Sequence, residues 1–348
     1  MRSDRWDTIQ NNIQYSSAFI AFLFNSILIF LIIFKSPKRI GTYKYLMIFI
    51  SVTEIIYSFL DVLVSPFFHS IGITFLVLVN VKKSILSSNV LLILNGVYCG
   101  FFGSSMAVFG VHFIYRYLVI NNQHQLIKSF DSWKIILWLL IPISYGTIWG
   151  YIGVVACGPR NETSEYVRNG LLNDFDLNVE DVTYIAPYMY EKGPNNTLDI
   201  YWPSLVGMIV DSFMIMSSFS TITYFGFKCY FKLQKFIHQY SKNTHRLQQQ
   251  LFCALVTQTM IPIILMHTPV SIMYLSVFLQ LNLGTLSGIG SITIALYPAI
   301  DPLPTMFIVS NYRKAIFGCF HSTIAALIPK DLSISDKHQQ TTENNDRV

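Results

Sequence analysis

Six side chains stand out for chemistry, because each is ionisable and falls inside a long apolar run: Glu54, Asp61, Asp211, Asp301, His112 and His267. An ionisable group in such a setting is costly, so each predicts a position facing other protein groups and a functional duty. Glu54 and Asp61 share a helix face by their spacing. None of the acids has an obvious Lys or Arg partner in the same runs, which predicts that they are neutralised or paired in so dry a setting. Enzyme chemistry finds no foothold. There is no His-Glu-x-x-His zinc pair, no Gly-x-Ser-x-Gly elbow and no Gly-x4-Gly-Lys-[Ser/Thr] phosphate loop. The 8 His never pair at i,i+4, and the 5 Cys (99, 157, 229, 253, 319) form no Cys-x-x-Cys or Cys/His metal spacing. No catalytic residue, metal site or cofactor is therefore expected.

The elements that hold these groups follow from composition. The 348 residues are 52% hydrophobic and 12% charged, about half the charge that a water-facing surface usually carries. A mean hydropathy of +0.46, with 27 Phe and 20 Tyr, makes lipid the main solvent. Disordered, collagen-like and disulfide-scaffold chains are excluded, and a scattered net charge of +5 does not suit a nucleic-acid binder. Crossing a hydrocarbon core of ~30 Å takes about 20 mostly apolar residues. Seven stretches qualify: 13–34, 45–68, 90–120, 135–155, 201–227, 251–278 and 287–309. The predicted fold is thus an all-α bundle of seven transmembrane helices over 13–309. The run 71–81 is too short to span, and its β-branched residues suggest an interfacial strand or loop cover.

Most of the 24 Lys and Arg fall on one side of this topology, in the connections near 35–44, in 228–250 and after 310. The positive-inside rule makes that side cytoplasmic, with the N-terminus (1–12) outside and the C-terminus inside. The long connection 156–200 is acidic and carries two sequons, at Asn161 and Asn195, which agrees with an outside location. Residues 310–322 mix basic and aromatic side chains and suit an amphipathic helix on the inner leaflet, and 323–348 reads as a disordered tail.

Seven-span bundles serve receptors, channels and transporters alike. No span carries a repeated Arg series, and the two halves of the chain show no matching interrupted helices. A receptor remains. Several motifs then carry a resemblance: Gly41-Thr-Tyr-Lys-Tyr-Leu-Met47, Val111-His-Phe-Ile-Tyr-Arg-Tyr117, Glu180-Asp-Val-Thr-Tyr-Ile-Ala186, Leu247-Gln-Gln-Gln-Leu-Phe-Cys-Ala-Leu-Val256 and Leu296-Tyr-Pro-Ala-Ile-Asp-Pro-Leu303. From about 13 to 320 the chain resembles the nematode serpentine chemoreceptors of the Str class, a group that includes the receptor for diacetyl. The resemblance implies a G-protein-coupled receptor for a small, largely apolar odorant, in the ciliary membrane of a sensory neuron, with a heterotrimeric G protein as partner.

Arg116, with Tyr117, closes the third span and has the reach to snorkel to water. By resemblance to the Arg-Tyr motif of rhodopsin-like receptors, it switches between an intramolecular contact and the G protein; a plain positive-inside anchor is the bland alternative. Tyr115 stands where those receptors carry an acid. Lys232, Lys235 and Arg246 form a basic amphipathic connection suited to lipid headgroups or to the G protein. Asp301-Pro302 resembles the Asn/Asp-Pro motif of the seventh span, although Thr305 replaces its usual Tyr. Pro262 and Pro269 lie on nearly one face of the sixth span, as a static kink or as a hinge.

Counting ~1.5 Å per residue from the Arg116 end places Tyr98, Cys99 and Phe102 roughly 21–27 Å up the third span, with Asp61 and His267 at similar depth. Asn95, Met266 and Tyr297 share that level, and together these residues would line the ligand pocket. The alternatives are core packing for the apolar residues and structural hydrogen bonds for Asp61 and His267. Rhodopsin-like receptors tie the third helix to the long outer loop, which would imply a Cys99–Cys157 disulfide; the depth of Cys99 argues against it. The competing function is a seven-span ligand-gated channel, which would place the sequons in the cytosol.

Overall fold

Seven apolar helices of spanning length make up the body of the computed structural model, which describes residues 4–192, 198–235 and 242–327. They run Thr8–Lys35, Tyr43–Val64, Ser88–Ile120, Ser132–Ala156, Trp202–Lys235, Thr244–Phe278 and Gly288–Ile308. Each coincides with a run expected from hydropathy, since only a helix satisfies its own backbone inside hydrocarbon.

The boundaries depart from hydropathy where local chemistry intervenes. The second span stops at Val64 rather than at 68. Pro66 disfavours a helical residue before it, Ser65 turns left-handed at φ 47°, and Phe67 and Phe68 leave for a strand. The first helix begins at Asp4, so much of 1–12 is helix rather than a separate extension. Gln10 and Gln14 donate to the Pro66 carbonyl, which sets the amino-terminal end of the bundle beside that strand. A terminal helix, Ser310–Leu327, follows the seventh span.

The third and fourth spans touch through glycine. A Cβ on Gly100 would stand 2.5 Å from the Gly146 carbonyl oxygen, and one on Gly150 would stand 2.6 Å from that of Gly96. Without hydrophobic drive between helices in lipid, this close approach supplies the van der Waals contact. It also draws Trp149 inward against Gly103.

A lid closes the end of the bundle where the amino terminus lies. β1 (Phe67–Ile71) and β2 (Thr74–Asn80) form an antiparallel hairpin around Gly72, whose φ of 57° suits the first position of a two-residue turn. β3 (Val182–Ile185), from the long connection, pairs with β2 so that Val77 opposes Ile185. β2 is buried on both faces, and its side chains alternate. Phe75, Val77 and Val79 join the bundle core. Leu76 and Leu78 pack with Tyr184 against Val167 and Leu171 of a lid helix, Asn161–Phe175. Double burial is why 71–81 reads as one continuous apolar run.

Lys82–Asp181 at 2.6 Å and Arg168–Glu180 at 2.7 Å tie the lid across its rim. In each pair the hydrogen bond from the basic partner holds the carboxyl below its ordinary value. The connection 156–200 is thus a folded cap carrying a helix and strands, not a plain loop. Its helix is polar on most positions, so hydropathy does not mark it.

Candidate ligand cavity and signalling core

Beneath the lid, the lid-side halves of the second to seventh spans line a small cavity of about 50 Å³. Tyr98, Cys99 and Phe102 line it along one face of the third span. Aromatic contacts organise the wall. Tyr57 stacks on Tyr98 at 5.0 Å, Phe102 leans on Trp149 at 5.2 Å, and Tyr274 contacts Phe75 at 5.4 Å. Asp211 brings the one carboxyl in the lining. Tyr274 donates to its Oδ2 over a long 3.4 Å, and its Oδ1 is buried without a partner.

The other expected lining residues are buried nearby but do other work. Asn95 Nδ2 donates to the Val77 carbonyl at 2.9 Å, pinning β2 to the third span. Asp61 sits beside Tyr98 and Gln14, outside the cavity wall. Met266 and Tyr297 line a smaller, deeper void that also holds Glu54 and Ser105. His267 lies below the cavity, its ring 4.4 Å from that of Phe102. The Ser105 hydroxyl donates to the Phe102 carbonyl at 2.8 Å, so it accepts at 2.9 Å from His267 Nε2. That assignment leaves His267 Nδ1 as a bare acceptor.

Sequence reasoning assigned no ligand role to Trp149, Tyr274, Val77 or Ile185, although all four line the cavity. Strand alternation could have flagged Val77 and Ile185. Nothing in the fourth span's uniform apolarity distinguishes Trp149 from its lipid-facing neighbours.

Cys99 and Cys157 line this same cavity as free thiols, so the disulfide implied by the rhodopsin-like pattern is not formed. The Ser204 hydroxyl donates to the Ala156 carbonyl, which leaves it accepting from the Cys157 thiol at 3.7 Å. Among the described residues, no cluster of three or more His, Cys, Asp and Glu could hold a metal.

One helical turn below the cavity, Ile263–His267 of the sixth span winds as a π-helix. Pro262 precedes this turn and Pro269 follows it. The Pro269 ring cannot accept the tight turn before it, and a wider one relieves the clash. Thr268 donates its hydroxyl to the Ile263 carbonyl at 2.8 Å. Deeper still, Gln258 of this span donates to Asp301 at 2.6 Å and accepts from Thr305 at 3.1 Å. Asp301 faces Glu54, which also receives the Tyr297 hydroxyl at 3.4 Å. The acids therefore meet each other and neutral donors in the bundle interior, beside the break where Pro302 opens the last helical turns.

At the opposite end from the lid, Arg116 does not snorkel. It is 1% exposed, and its Nη2 donates to the Gln248 backbone carbonyl of the sixth span at 2.9 Å. The guanidinium also lies over the Tyr43 ring at 5.2 Å, and that ring stacks on Tyr115. Aromatic faces occupy the place that an acid would take in a rhodopsin-like lock, and they attract a cation by their quadrupole. His112 donates from Nε2 to the Leu46 carbonyl and accepts the Tyr43 hydroxyl at Nδ1, fixing that ring from behind. Tyr117 is half-buried against Phe225. Lys235 and Arg246 are exposed at this end, and Lys232 is half-buried. Asn161 is exposed at the start of the lid helix, while Asn195 lies outside the described residues.

Comparison with known proteins agrees with the seven-helix fold. The chain is 38% identical over 315 residues to the G-protein coupled receptor str-217 of Caenorhabditis elegans, covering 88% of this chain and 89% of that one. It is 32% identical over 322 residues to the serpentine receptor class r-10 of Caenorhabditis elegans, covering 91% and 93%. Squid rhodopsin superposes with a TM-score of 0.60 at 11% identity, over 95% of this chain and 91% of that one, which speaks to the fold alone. Residues 10–317 match the family described as serpentine type 7TM GPCR chemoreceptor Str, and the chain belongs to that family of multi-pass membrane receptors.

Proposed function

We propose that this receptor binds a small, largely apolar odorant in the cavity under the lid and activates a heterotrimeric G protein at the Arg116 end. In this reading the lid faces the outside and the basic end the cytosol, and the membrane is the cilium of a sensory neuron. The observation that carries it is the bond from Arg116 to the Gln248 carbonyl, which fastens the third span to the sixth below a cavity whose lining residue Phe102 touches His267 of the π turn. A ligand pressing on Phe102 or Val270 would act on the turn between Pro262 and Pro269. The lower half of the sixth span would swing about that turn, and Arg116 would exchange the Gln248 carbonyl for the G protein. Lys232, Lys235 and Arg246 would complement an acidic partner surface there. The channel alternative is not favoured by the family assignment.

The test is Arg116→Ala. It is expected to abolish ligand-driven nucleotide exchange on the G protein while surface expression and ligand binding persist. Exchange at the level of the unaltered receptor would defeat the role given to Arg116.

A further inference from the structure

The cavity under the lid is apolar and aromatic except at one point, and that point is an acid. Asp211 is 3% exposed, its Oδ1 has no partner, and its Oδ2 receives only the long bond from Tyr274. Among the described residues, no Lys, Arg or His lines the cavity. A buried acceptor left without a donor costs free energy comparable to a lost hydrogen bond, and an unpaired charge costs more. Asp211 Oδ1 thus lacks a donor, and no cationic side chain among the described lining residues complements the acid. Tyr57, Tyr98, Trp149 and Tyr274 line the same cavity as Asp211, and aromatic rings attract cations when water is excluded.

Taking the cavity as the ligand site, as proposed above, we infer that the cognate ligand class is a small amine bound as its ammonium ion. Its N–H groups donate to Asp211 Oδ1 while its hydrocarbon body fills the aromatic cage. Ketones, esters and hydrocarbons bring no donor. An alcohol brings one but leaves the acid without its counter-charge. A charge-assisted bond exceeds a neutral one by ~1.4 kcal/mol or more, which is about tenfold in affinity.

The experiment uses the full-length receptor purified in detergent. Thermal-shift titration compares isoamylamine, cyclohexylmethylamine and 2-phenylethylamine, each with its isosteric alcohol and hydrocarbon. At least one amine is expected to bind about tenfold tighter than its alcohol, and Asp211→Asn is expected to erase that margin. Tyr274→Phe leaves the carboxyl in place, so it should keep the margin; this variant serves if Asp211→Asn does not fold. An alcohol or hydrocarbon that matches its amine, a margin surviving Asp211→Asn or lost in Tyr274→Phe, or no binding across the panel would each overturn the assignment. Nucleotide exchange is read separately. Amine binding without exchange would sink the receptor mechanism and leave this inference standing. Binding led by a neutral compound, with exchange, would do the reverse.

Discussion

Single side chains in this bundle are placed by what they cannot leave unsatisfied. Arg116 carries five donors; in its buried position Nη2 bonds the Gln248 carbonyl and the guanidinium lies over the Tyr43 ring, while Nε has no partner. Asp301 is in the same position with Gln258 and Glu54. Replacing Asp301 with Leu strands the Gln258 amide in a dry interior, so a loss of about 2–4 kcal/mol is expected, read as a lower unfolding temperature in detergent. Asp301→Asn keeps an acceptor for Gln258 and should cost less; equal losses would show that the hydrogen bond is not the cause. The thiols give a second test at this scale. Alkylation of the denatured receptor without reductant should label both Cys99 and Cys157, because neither is cross-linked. Labelling that requires prior reduction would contradict the structure.

At the scale of elements, the same bundle mixes rigid contacts with a yielding one. Glycine backbones lock the third span to the fourth, so Gly100→Leu has no space to enter at the Gly146 carbonyl. Overpacking of this kind costs ~1–3 kcal/mol, and a reduced yield of folded receptor together with a lower unfolding temperature is expected. The π turn between Pro262 and Pro269 is the opposite case, a place where the helix is already loosened. Pro269→Ala restores a backbone N–H and permits a regular turn. It should leave expression intact and weaken ligand-driven exchange; unchanged exchange would argue for a static kink.

The lid responds to acid. Glu180 and Asp181 have carboxyls held below their ordinary values of 4.5 and 3.8 by Arg168 and Lys82. Their pairs therefore persist above those values and are lost as pH falls through the depressed ones. Hydrogen exchange of Asn161–Phe175, corrected for its intrinsic pH dependence, should stay flat from neutral pH and rise only below 4.5. A rise near neutrality would point to another cause.

For the molecule as a whole, orientation in the membrane is the property on which the proposed mechanism depends. The amino terminus and the lid lie at one end and the Arg116 cluster at the other. If the lid faces outward, Asn161→Gln should remove a glycan and quicken migration on a gel, as glycosidase does for the unaltered chain. A site that never carries sugar in cells would weaken the outward assignment.

The sequence alone determined the number of spans and their approximate limits, because membrane thickness imposes a minimum apolar length on every crossing. It also marked the acids as interior groups, since lipid offers them no partner. Helical depth placed Tyr98, Cys99 and Phe102 at one level of the third span, where they line one cavity. What only the tertiary structure decided is which buried groups face one another. Asn95 went to a strand rather than to the cavity, Arg116 turned inward instead of toward water, and Asp211 emerged as the lone acid among aromatic walls. Helical periodicity assigns a residue to a face of its own helix. Which neighbour that face meets depends on how seven helices rotate and tilt together, and on a lid whose strands come from distant parts of the chain.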